Sequence, residues 1–145
     1  MLAVCTCVNA DADPTCSVTA SGVAFGNCNP LASQNSDSTG SVGVTCIGST
    51  SVSYTIAASA GAGSYSTRQQ VSGSHTLNYN IFTDSSRKMV WGDGISSGTN
   101  AISGSMIATS TGATESYTVY GRIFSGQQTA WVGSYSDILT VTIAY

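Results

Sequence analysis

Apolar residues recur at every second position along this chain, in short runs, and not at the three- and four-residue spacing of a helix face. In "TLNYNIFTD", Leu77, Tyr79, Ile81 and Thr83 fall on one side; in "SYTVYGRIF", Tyr117, Val119, Gly121 and Ile123 do. In "ILTVTIAY" they are Leu139, Val141, Ile143 and Tyr145. Successive side chains of a strand point to opposite faces, so each run buries one face and wets the other. Clusters of Gly, Ser, Asn and Asp separate the runs, with the residue types that turns require. This pattern predicts an all-β, immunoglobulin-like β-sandwich of about seven strands.

"CSVTASGVAF" opens the series, with Cys16, Val18 and Ala20 on one face. Gly22 breaks its phase before Val23 and Phe25, which suggests a bulge or a switch between sheets. "SVGVTCI" and "SVSYTIAAS" follow, split by Gly48-Ser49-Thr50 in a hairpin-like separation. "RKMVWGDG" reads as a short strand ending in a Gly-Asp-Gly turn, and "NAISGSMIATS" as a weaker strand.

The 145 residues suit one domain, and at 41% hydrophobic they can bury a core. Disorder needs low hydrophobicity with high net charge, whereas the net charge here is −3. Four cationic side chains cannot track a phosphate backbone, so nucleic acid is not an expected partner. No apolar run is long enough for a membrane-crossing helix.

The N-terminus, "MLAVCTCVNADADPTC", begins apolar and passes through Ala10-Asp11-Ala12, like the end of a secretory signal peptide cut after Ala12. Residues 1–12 are thus expected to be a signal-peptide remnant and residues 13–145 the domain. Cleavage there removes Cys5 and Cys7 and leaves Cys16, Cys28 and Cys46, enough for one disulfide and one spare thiol. "CTC" is too tightly spaced for a zinc knuckle. One disulfide in an oxidising compartment is the better reading.

Nothing here assembles a catalytic constellation, and no catalytic residue, metal site or cofactor is expected. The single histidine, His75, sits at a strand edge, and no nucleophile elbow surrounds a serine. The seven acids are scattered, without the spacing of a catalytic pair. "WGDG" lacks the several oxygen ligands of a calcium loop.

Several segments together resemble one family. "CSVTASGVAFGNCNP" is similar to the opening of a spore coat protein U domain, and "GVTC" supplies the second cysteine of that pattern. "TRQQVSG", "LNYNIFTD" and "VWGDG" resemble the central section in order. "TVYGRIFSGQQTAWVGSYSDILTVTIAY" resembles the end, so the likeness runs from Cys16 to Tyr145. Cys28 departs from it, where the family turn commonly carries an aromatic residue.

The family is similar to the pilin subunits of archaic chaperone–usher pili and includes a coat protein of bacterial spores. The resemblance implies a secreted structural subunit whose sandwich lacks its last strand. A periplasmic chaperone would fill the gap first, and a neighbouring pilin subunit would replace it during assembly at an outer-membrane usher. The route is through the periplasm to a cell-surface fimbrium. It also implies a disulfide between Cys16 and Cys46, worth roughly 3–4 kcal/mol by loop closure. Cys28 is then spare: either buried and free, or in competition with Cys16 for Cys46.

On this reading the donor-strand groove is bordered by Val18, Ala20, Val23 and Phe25 on the first strand. Leu139, Val141, Ile143 and Tyr145 border it on the last. A missing inner strand leaves unpaired N–H and C=O groups and an open core face. Four or five absent apolar side chains amount to a deficit on the order of 10 kcal/mol, comparable with the whole stability of a domain. Adding a strand to such an edge is β-augmentation, and chaperone–pilin complementation is a known example of it. The same residues are compatible with the plain core of a closed sandwich. Only Asp13-Pro14-Thr15 separate the expected cleavage point from Cys16, too few to span a groove at ~3.3 Å per residue, and the uncut segment alternates poorly. The expectation is a subunit that accepts a strand without donating one, as at a fibre tip. The alternatives are a spore or cell-surface coat protein, and a small carbohydrate-binding module using Trp91, Trp131 and Tyr135.

Overall fold

The computed structural model describes residues 13–145. The expected signal-peptide remnant, with Cys5, Cys7 and Ala12, lies outside the described residues.

Among the described residues are β1 (Thr15–Ser21), β2 (Ser36–Ile47), β3 (Ser51–Ala58), β4 (Arg68–Ser72) and β5 (His75–Phe82). They are followed by β6 (Val90–Trp91), β7 (Thr99–Asn100), β8 (Ile102–Ile107), β9 (Ala113–Ile123) and β10 (Val141–Ala144). They form two sheets. The larger runs β1-β2-β9-β5-β6-β7, with β4 paired to β5; the smaller runs β10-β3-β8. All pairings but the short β6–β7 contact are antiparallel.

The alternating rows meet between the sheets. Val42, Val44 and Cys46 of β2, Leu77, Tyr79 and Ile81 of β5, and Val119 and Ile123 of β9 are buried. They face Val52, Tyr54, Ile56 and Ala58 of β3 and Ile102 of β8. Their opposite-parity neighbours, such as Ser51, Ser53 and Thr55 of β3, are exposed. This is the sandwich that the two-residue period demands.

Three expectations need adjustment. The Gly48-Ser49-Thr50 connection does not make a hairpin: β2 and β3 belong to different sheets, and the chain switches layers there. A Cβ on Gly48 would lie 2.9 Å from Pro14 Cα, so the crossing is tight. The first strand ends at Ser21, leaving Val23 and Phe25 beyond it. The last strand spans only Val141–Ala144, although Ser59 N–H bonding to Thr140 O (2.9 Å) extends its path.

At Gly22 the chain leaves the large sheet without joining the other one. After Ser21 the chain crosses the inner face of the large sheet over two glycines. A Cβ on Gly121 would come within 2.6 Å of Val23 Cγ1 and 2.7 Å of Phe25 Cζ, and one on Gly40 within 3.0 Å of Val23 Cγ2. Val23 and Phe25 thereby pack on the core from outside any strand. Phe25 meets Tyr79 edge-on, with centroids 6.2 Å apart.

Candidate strand-accepting groove

β1 ends the large sheet and β10 ends the small one, and the two approach each other along the same side of the sandwich. Among the described residues, β1 has β2 as its neighbour and β10 has β3, so each presents its other edge unpaired. The two free edges lie side by side on opposite layers and are the candidate borders of a strand-accepting slot.

The side chains along this slot differ from the core rows. Val18, Val23, Phe25, Leu139, Val141 and Ile143 pack on the core while remaining partly exposed. Ala20 is exposed, and Tyr145, one residue beyond β10, is 57% exposed. The inner rows of β3 and β5 are closed, whereas on β1 Cys16 alone is buried and β10 has no buried side chain.

Both borders are pinned. Cys16 and Cys46 sit opposite each other in the β1–β2 register and form a disulfide. Of the described cysteines, Cys28 is free and half-buried, in the loop after Phe25. On the other border, Asp137 straps the approach to β10. Its carboxylate accepts hydrogen bonds from Ala62 N (3.0 Å), Ile138 N (2.8 Å) and Tyr79 OH (2.6 Å). Burial, and then this hydrogen bond to Asp137, raise the Tyr79 hydroxyl well above the ordinary phenol range. Gly61, at φ +64°, makes the fit possible, since a Cβ there would fall 2.3 Å from Asp137 Oδ2.

Two inter-layer devices were not foreseen from sequence. The first is Arg68 of β4, whose side chain is fully buried. Its guanidinium donates to Asn80 Oδ1 (2.6 Å), Ser59 O (2.7 and 3.2 Å) and Trp91 O (2.7 Å), and lies 5.4 Å from the Tyr65 ring centroid. Burial lowers its pKa. Carbonyl and amide oxygens solvate the fork from three elements at once, and no carboxylate touches it. The only hint in the sequence was "TRQQVSG" recurring in family order. The second device joins Tyr54 of β3 to Glu115 and Tyr117 of β9. Tyr54 OH donates to the Glu115 carboxylate and lies 2.8 Å from Tyr117 OH. A Cβ on Gly104 would strike both tyrosine hydroxyls, at 2.2 Å and 2.6 Å, so glycine is the residue that leaves them room.

Of the aromatics suggested for a sugar platform, Trp131 and Tyr135 come together and Trp91 does not. Trp91 is buried at 3% exposure, with its indole N–H on Ile56 O (3.0 Å). Trp131 is 67% exposed and stacked on His75, and Tyr135 is half-buried beside it. The Gly-Asp-Gly turn holds Asp93 with donors only: Ile95 N, Ser96 N, Ser96 Oγ and Thr99 Oγ1. These bonds, the Ser96 hydroxyl first, pull its pKa down and make it a turn anchor.

Comparison with known proteins agrees with this architecture. No curated protein matches the chain. Among solved structures, a chain of the CsuC–CsuE chaperone–tip adhesion subunit pre-assembly complex, from the archaic chaperone–usher Csu pili of Acinetobacter baumannii, superposes with a TM-score of 0.63 at 23% identity. The superposition covers 91% of this chain and 40% of that one, so the present chain spans less than half of its length. At that identity the likeness speaks for the fold. The family model for the spore coat protein U domain matches residues 2–142, nearly the whole sequence. With its open-sided sandwich and its Cys16–Cys46 bridge, the chain belongs to the spore coat protein U domain family.

Proposed function

We propose that this protein is a structural subunit of a secreted surface fibre of the chaperone–usher type, whose sandwich is completed by a strand from another protein. The observation that carries this reading is the pair of free sheet edges, β1 and β10, lying side by side with half-exposed apolar rows. A strand laid between them would pair with edges that otherwise rely on water, and would cover Val18, Val141 and Ile143.

Membership of the family and the fold shared with a chaperone-bound tip subunit support the same reading. The partners are a periplasmic chaperone, neighbouring subunits and an outer-membrane usher. The disulfide fits export through an oxidising compartment to the cell surface.

Co-expression with a chaperone from the same gene cluster tests the proposal. Recovery as a one-to-one complex on size exclusion, with little free subunit, is the expected result. A stable free monomer that ignores the chaperone would mean that the slot needs no added strand, and would overturn the reading.

A further inference from the structure

A cavity of about 610 Å³ lies where the 23–31 segment and the 130–135 loop close over one end of the sandwich. Leu77 of β5 and Ile123 of β9 form its floor, and Phe25 and Tyr135 its walls. Cys28 and Ala130 complete the interior, while Gln70, Asn27, Asn29 and Ser134 contribute polar groups to the lining. No Asp, Glu, Lys, Arg or His lines it among the described residues.

The two covering segments are braced, which keeps the space from collapsing. The Trp131 N–H donates to Tyr135 Oη (3.0 Å), and the Tyr135 O–H donates back to Trp131 O (2.9 Å). The Trp131 ring stacks on His75 at 5.0 Å between centroids. Across from it, Gln127 N–H bonds to Pro30 O (2.9 Å) and Gly126 N–H to Ala32 O (3.1 Å). An exposed indole held on an imidazole at the rim, with apolar side chains beneath it, is the make-up of a pre-formed small-molecule site.

We propose that this cavity binds an uncharged, mainly apolar small molecule, an aromatic ring or a short acyl chain whose polar end meets the amides and hydroxyl of the lining. The lining decides the class. A charged ligand would be desolvated without a counter-charge, which is costly, whereas an apolar body gains by burial against Leu77, Ile123 and Phe25. Val23 and Phe25 line both this cavity and the slot border, whereas Leu77, Ile123 and the 130–135 loop belong to the cavity alone.

The probe is N-phenyl-1-naphthylamine, an uncharged fluorophore, titrated into the subunit in whichever form it is recovered, free or chaperone-bound. Saturable binding of one equivalent is expected, with energy transfer from Trp131 and no change in affinity between low and high salt. Trp131→Phe should reduce the transfer, with Trp91 left as the remaining donor in the chain. Ser134→Phe, at an exposed rim position that should not disturb folding, should weaken binding by at least about tenfold, which is 1.4 kcal/mol. Cys28→Phe should do the same from within. Undiminished binding in both filled variants overturns the proposal. So does loss of the probe when a chaperone complex forms, which would show the cavity to be an end of the strand slot. Failure to form any chaperone complex would count against the fibre reading and leave this site standing.

Discussion

Arg68 carries the largest consequence of any single side chain in the fold. Its guanidinium is fully buried and satisfies acceptors on β5, β6 and the end of β3. Arg68→Met keeps the bulk and takes the donor from Ser59 O and Trp91 O, each costing about 1–3 kcal/mol unpaired, while Asn80 Oδ1 keeps the Ile81 N–H. Partial relaxation should leave a net loss of about 3 kcal/mol, read as a lower urea midpoint. Arg68→Lys should recover only part, since an ammonium cannot span the fork. At the surface, three carboxylates titrate below their ordinary value of 3.8: Asp37 through its hydrogen bond from Arg122, Asp84 through the Ser86 hydroxyl and Asp93 through the Ser96 hydroxyl. Their folded pKa values lie under the unfolded ones, so the native state holds fewer protons in that window. The stability they contribute is complete above pH 3.8 and fades as pH falls through the folded values. Thermal melts should drop below about pH 4, and Asp37→Asn should flatten the fall only slightly, because an exposed pair contributes well under about 1 kcal/mol.

At the scale of elements, alternation made the strands legible and lost them where glycine replaced an inward side chain. The sequence pattern starts the second strand near Ser41, yet β2 begins at Ser36. Its inward positions there are Ser38 and Gly40, small because the 22–25 crossing lies over them: Ser38 Oγ donates to Ala24 O (2.6 Å), and Gly40 sits under Val23. The same crossing explains Gly121 on β9, and the Tyr54–Tyr117 pair explains Gly104 on the weak-looking β8. A tertiary contact has taken the place of the local signal in each case. The layer switch after Ile47 was hidden differently: a three-residue gap is equally compatible with a hairpin and a crossover. The half-buried, core-facing parity of Val18, Val141 and Ile143 was readable from alternation, whereas the roles of Asp137, Gly61 and Arg68 were not, because they exist only once distant segments meet. Gly121→Val should therefore act through Val23 and Phe25. A loss of about 1–3 kcal/mol is expected from overpacking. Phe25→Ala in the same chain should cost less than it does alone, and a double-mutant cycle by chemical denaturation measures that coupling.

Over the whole molecule, the two layers are unequal in closure. Among the described residues, the side between β1 and β10 presents unpaired backbone edges and half-open apolar rows. Parity on β10 gives a sharp test of whether a strand is received there. Ile143 packs on the core and is partly buried, while the adjacent Thr142 is exposed. Ile143→Asp places a carboxylate where an incoming strand must bury it. It loses about 1.5–3 kcal/mol of apolar burial and adds a desolvation cost of several more. Chaperone complex recovered by co-purification should fall by at least about tenfold. Thr142→Asp changes the charge by the same amount one residue away and should leave recovery nearly unchanged. Equal effects at both positions would mean that charge near the terminus, and not a strand in the slot, governs capture. A loss confined to Ile143 would fix the face on which the sandwich is completed. Val18→Asp, reaching the same slot from the opposite layer, should then reproduce it.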